Sequence, residues 1–154
     1  MPNDTVKQAI TACAEFIKDR DDALALPPEA AEFAYLLVRA TGARRGVEIG
    51  TSLGYSGLWI GAGLAENVGR LITIDIQPEK TQIARGFYEQ AGLGEAIRCE
   101  VGRAEEILAG LEGPFDFVLN DADKENCQKY VELLLPKLVS GAVILTDNSI
   151  THAR

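Results

Sequence analysis

The chain has 154 residues, 47% of them apolar and 25% charged, with a formal net charge of −8. That is enough for one domain with a real core, and an acidic balance argues against general affinity for nucleic acid or an anionic membrane. Cys13, Cys99 and Cys127 lie far apart and His152 is the only histidine, which argues against a disulfide framework or a Cys/His metal site and points to a reducing cytoplasm; no run has signal-peptide character or membrane-spanning length.

Asp4 or Thr5 is placed to cap a first helix in which Val6, Ile10, Cys13 and Phe16–Ile17 recur at helical spacing. The KDRDD run at 18–22 reads as a solvated end. Pro27, Pro28 and Glu29 suit a second helix entry. Phe33, Leu36, Leu37 and Ala40 read as its buried stripe and Gly42 as its stop. Strands and helices then alternate. Strands are expected over 45–49, 71–76, 97–101, 115–119 and 143–146. Helices are expected over 55–64, from Pro78 to Gly92 with Ile83, Phe87 and Ala91 inward, over 104–111, and over 125–138 with Tyr130, Leu133, Leu134 and Leu138 on one face. The alternation predicts an α/β fold with a doubly wound, mostly parallel sheet. Residues 1–154 read as one domain, 1–42 forming a helical part and 43–154 the core.

In such sheets ligands gather beyond the carboxyl ends of the strands, and four strand ends here carry distinctive residues. The first leads into GVEIGTSLGYS at 46–56, where Gly50 and Gly54 open a tight turn before a helix. Glycine lets the backbone approach a ligand without a Cβ, and the helix start offers unpaired N–H groups. The same residues also suit an ordinary strand-to-helix turn. Asp75 ends the second strand, 25 residues after Gly50. It suits the two hydroxyls of a ribose, or the capping of a helix before Gln77 and Pro78. Asp121, Asp147 and Asn148 follow strands four and five and supply oxygen ligands for one hard cation, Mg²⁺ above all, or serve separate turn-capping roles. Lys124 is placed as a base beside such a metal, or as a solvated lysine at a helix start.

Taken together, GVEIGTSLGYS, TIDIQPEK, FDFVLNDADKEN and ILTDN resemble the class I S-adenosylmethionine-dependent O-methyltransferases. The nearest match is the metal-dependent catechol and caffeoyl-CoA O-methyltransferase-like family, over about residues 27–150. The resemblance implies a Rossmann-like sheet in the order 3-2-1-4-5. It implies that Glu48, Gly50, Thr51, Ser52, Gly54, Tyr55 and Ser56 line the methionine part of the cofactor, and that Asp75, with Ile76, holds the ribose. Gly102, Arg103 and Ala104 would lie by the adenine, Asp123 and Asp121 by the amino-acid end. Asp121, Asp147 and Asn148 would bind a divalent metal, and Lys124 would take a proton from a small hydroxylated, catechol-like acceptor. Asn120 and Cys127 depart from the family pattern, which has an apolar residue and an aromatic there. Family members also continue past the equivalent of Arg154 with a helix and two strands. The expectation is therefore a shortened chain with an open strand-five edge that associates, most simply as a homodimer. Two other readings stand beside this one: a nicotinamide-dependent oxidoreductase, against which the turn reads E-x-G-x-x-x-G, and a non-catalytic cofactor-binding or assembly module.

Overall fold

Residues 1–23, 25–121 and 124–147 are described by a computed structural model of the chain. The strands are β1 (Arg45–Ile49), β2 (Arg70–Asp75), β3 (Ile97–Val101), β4 (Phe115–Asn120) and β5 (Leu138–Thr146). They form one parallel sheet in the order β3-β2-β1-β4-β5. The helices are α1 (Asp4–Ile17), α2 (Pro28–Thr41), α3 (Tyr55–Glu66), α4 (Pro78–Gln90), α5 (Ala104–Gly110) and α6 (Lys124–Leu134). Alternate strand residues point to opposite faces, and each face closes a separate core. Leu71, Ile97, Phe117 and Leu119 pack with α1 to α4. Val47, Ile49, Ile74 and Val118 pack with Leu108 of α5 and Leu134 of α6.

α3 lies between the first face and α1, α2 and α4, and every residue from Tyr55 to Leu64 is buried. Its glycines permit that depth. A Cβ on Gly63 would sit 3.0 Å from Val38 Cγ1. One on Gly57 would press into the Tyr88 hydroxyl.

This close packing corrects the expected stripes of α2 and α4. In α2 the inward residues are Ala31, Ala34, Tyr35 and Val38, whereas Phe33 and Leu36 are 54% and 49% exposed. In α4 they are Thr81, Ala84 and Tyr88, with Ile83 and Phe87 only half-buried. The glycines of α3 make room for Tyr35, Val38 and Tyr88, and a reading that puts Phe33, Leu36, Ile83 and Phe87 inside picks the wrong phase. Three boundaries also differ. Asn3, not Asp4 or Thr5, caps α1 by accepting from Val6 N–H at 2.9 Å. α6 ends at Leu134 because Pro136 disfavours helix before it, and a 3₁₀ turn, Leu135–Lys137, follows. β5 therefore starts at Leu138, and Gly141 (φ +85°) lies within it.

Candidate functional site

β1 runs straight into the glycine turn. Gly50 (φ +104°) and Gly54 (φ +97°) are left-handed. At Gly50 glycine is required twice, since a Cβ would also sit 2.7 Å from the Asp121 carbonyl oxygen. The turn's amides are tied inward. Gly50 and Thr51 N–H donate to the Ile74 carbonyl at 2.8 and 3.2 Å, and Gly54 N–H donates to Thr51 O at 3.1 Å. Ser52 N–H donates to Asp75 Oδ2 at 2.8 Å. The other Asp75 oxygen accepts from Gln77 N–H at 2.9 Å. Asp75 thus clamps the turn to the start of α4 and has lone pairs left for a ligand.

Glu48 lies beneath the turn and is fully buried. Its Oε1 accepts from Thr73 Oγ1 at 2.6 Å and its Oε2 from Ser56 Oγ, while Thr73 Oγ1 also meets Thr51 Oγ1 at 2.7 Å. Burial pushes the carboxyl up to about 7, against the pull of the Ser56 and Thr73 hydroxyls.

Parallel pairing brings the β4 and β5 ends together. Asp121 N–H donates to Ile49 O at 3.0 Å and Asp147 N–H to Asn120 O at 3.2 Å. The Asp147 carboxylate thus lies near that of Asp121. Burial first, then Asp147, pushes Asp121 up to about 8. Two neighbouring carboxyls whose charges repel offer oxygen donors of the kind that suit a hard cation. Among the described residues no third His, Cys, Asp or Glu joins them. Asp123, Asn148 and the side chain of Lys124 lie outside the described residues.

Two hollows open at this end of the sheet. The larger is about 480 Å³ and is lined by Gly50, Asp75, Ile76, Gly102, Arg103 and Ala104. All six come from the residues singled out in the sequence. The smaller is lined by Gly50, Thr51, Ser52, Tyr55, Ser56 and Asp121, with Ile17, Ala23 and Ala25 closing it from the α1–α2 side. Glu48 and Gly54 line neither: Glu48 braces Ser56 from below, and Gly54 starts α3 by accepting from Leu58 N–H at 2.9 Å. Sequence reasoning missed the far wall of the larger hollow, where Asn126, Lys129 and Tyr130 of α6 face Glu105 of α5. Glu105 pairs with both Arg103 and Lys129 across the opening. Charge pattern gave no sign of that pairing, because the partners are 24 residues apart.

The profile of the family described as O-methyltransferase matches residues 7–154. The chain belongs to the O-methyltransferase family. A catechol O-methyltransferase from Mycobacterium tuberculosis is 38% identical over 128 residues, covering 82% of this chain and 58% of that relative. An O-methyltransferase from Bacillus cereus, solved in complex with SAH, superposes with a TM-score of 0.79 at 31% identity, covering 95% of this chain and 66% of that one. The O-methyltransferase TomG from Streptomyces achromogenes, solved in complex with SAM, gives a TM-score of 0.80 at 30% identity, with 95% and 66% covered. The chain therefore spans about three fifths of the length of the first curated relatives it matches.

The residues present fit the cofactor of such an O-methyltransferase. Ser52 Oγ is buried in the wall of the smaller hollow without a hydrogen-bond partner among the described residues, a vacancy that a polar ligand group would fill. Asp75 presents a carboxylate to the larger hollow, beside the backbone of Gly102.

Proposed function

We propose that this chain binds S-adenosylmethionine and transfers its methyl group to a small hydroxylated, catechol-like acceptor with the help of a divalent metal, Mg²⁺ by preference. The observation that supports this most is the gathering of Gly50, Asp75, Gly102 and Asp121 around two adjoining hollows at the carboxyl ends of four neighbouring strands. The family match counts against the nicotinamide reading.

In this reading the chain acts by positioning. Asp75 holds the ribose hydroxyls, and Ile76, Gly102, Arg103 and Ala104 flank the adenine. Thr51, Ser52, Tyr55 and Ser56, braced by Glu48, seat the amino-acid end with Asp121 and Asp123. Asp121, Asp147 and Asn148 hold the cation. Lys124 removes the acceptor proton at its Nζ. The cofactor supplies a methyl group on a sulfonium, and the cation lowers the pKa of chelated hydroxyls. The protein is proposed to be cytoplasmic, in keeping with three free cysteines. It is proposed to be a homodimer, supported by the outer edge of β5, which pairs with no strand among the described residues.

The test is methyl transfer to a panel of catechols with labelled S-adenosylmethionine, with EDTA and after Mg²⁺ is restored, beside titrations with S-adenosylhomocysteine and NAD. Transfer that EDTA stops and Mg²⁺ rescues is expected. Full transfer in EDTA would remove the metal role from Asp121, Asp147 and Asn148. Binding of NAD in place of S-adenosylhomocysteine would remove the methyltransferase reading itself.

A further inference from the structure

A second large hollow, of about 460 Å³, opens at the opposite edge of the sheet, where the strands begin. Arg45, Arg70 and Arg98 line it, one from each of three adjacent strands. Strand register sets them on one face. Arg45 pairs with Arg70, and Arg98 pairs with Ile72, two residues beyond Arg70. Ile72 and Phe115 supply an apolar floor. No residue lining this hollow comes from a helix; α5, a crossover helix on this face, is only seven residues long. The chain as a whole carries 23 acidic against 15 basic residues, yet this lining has three arginines and one acid, Glu95.

The three guanidiniums differ in freedom. Arg45 lies over the Phe115 ring, 5.3 Å from its centroid, and donates to Glu112 O at 3.2 Å, so it is held in place. Arg98 pairs with Glu100 at the exposed rim. The Arg70 side chain makes no hydrogen bond or ion pair among the described residues. One fixed fork, one free fork and a third that can exchange its partner suit a dianion, since guanidinium matches phosphate oxygens two at a time. The apolar floor suits a flat or greasy body attached to that dianion. Strand-start arginines that merely fringe the sheet would screen any anion equally and gain nothing from such a body.

We propose that this hollow is a second ligand site, for a small organic phosphate with an aromatic or apolar body. It is separate from the hollows at the carboxyl ends and does not depend on the methyl-transfer reading.

The experiment titrates phenyl phosphate and inorganic phosphate into the full chain at low ionic strength, with and without S-adenosylhomocysteine. Phenyl phosphate is expected to bind more tightly than inorganic phosphate and to bind equally well with S-adenosylhomocysteine present. Arg70→Ala and Arg98→Ala should each weaken it by about tenfold, the loss of one charge-assisted contact. Both residues are exposed, so urea midpoints should stay put and the variants should report binding alone. Arg70→Lys keeps the charge but loses the fork, and it should recover only part of the affinity. The proposal is overturned if phenyl phosphate fails to saturate in the millimolar range. It is equally overturned if the double alanine variant binds as the wild type does, or if inorganic phosphate binds as well as phenyl phosphate.

Discussion

Glu48 makes stability depend on pH in a direction opposite to that of a surface carboxylate. Its carboxyl is fully buried and stands at about 7 against an ordinary 4.5. The folded state thus holds this proton more tightly than the unfolded chain does. The favourable contribution of the protonated form is complete below pH 4.5, falls as pH rises, and is gone above about 7. At 1.36 kcal/mol per unit the total is about 3 kcal/mol. Glu48→Gln imitates the protonated form, offering one donor and one acceptor to Ser56 and Thr73, whose hydroxyls can turn to match. Urea unfolding of wild type and variant across the range from about pH 4 to about pH 9 reads this directly. The variant should equal or slightly trail the wild type in acid and gain on it by about 3 kcal/mol by the alkaline end. Taking the difference removes groups remote from Glu48. Two curves that run parallel would mean that Glu48 ionises normally, and the buried brace beneath the glycine turn would have to be redrawn.

Asp75→Ala should weaken S-adenosylhomocysteine binding by about 1–3 kcal/mol in calorimetry; unchanged affinity in a folded variant would remove Asp75 from the site. Gly50→Ala should destabilise the fold by about 2–4 kcal/mol, combining left-handed strain with a clash against the Asp121 carbonyl, and a urea midpoint near that of the wild type would refute the close approach. Sedimentation at micromolar concentration should show a dimer that buries the β5 edge. A monomer whose β5 amides resist hydrogen exchange would refute that assembly.

The alternation of strands and helices and the turn between β1 and α3 were legible because they rest on local signals, glycine at a strand end and β-branched runs between helices, whereas the strand order came with the family resemblance. Asp75 was read as either a ribose ligand or a helix cap, and its two backbone contacts show one carboxylate serving the turn and α4 at once. What escaped were properties set by neighbours distant in sequence. The inward faces of α2 and α4 depend on glycines of α3, which a periodicity count along α2 or α4 alone does not see. The bonding of the turn's own amides, from Gly50 to Gly54, to β2, Asp75 and Thr51 also escaped, because a parallel neighbour ends one residue away in register. The α6 wall of the larger hollow escaped because Tyr130 reads equally well as core.

The burial of α3 on all sides carries a consequence for how the chain assembles. A helix buried on every side from Tyr55 to Leu64 has no partner it can do without. The first 42 residues cannot detach without baring α3, and the sheet cannot form alone without leaving Leu71, Phe117 and Leu119 wet. The helical part and the core that the element pattern separates are therefore one cooperative unit. Deleting α1 to trim the protein would not yield a smaller folded unit. It would expose a glycine-rich apolar rod, and aggregation would follow before any question of activity arose.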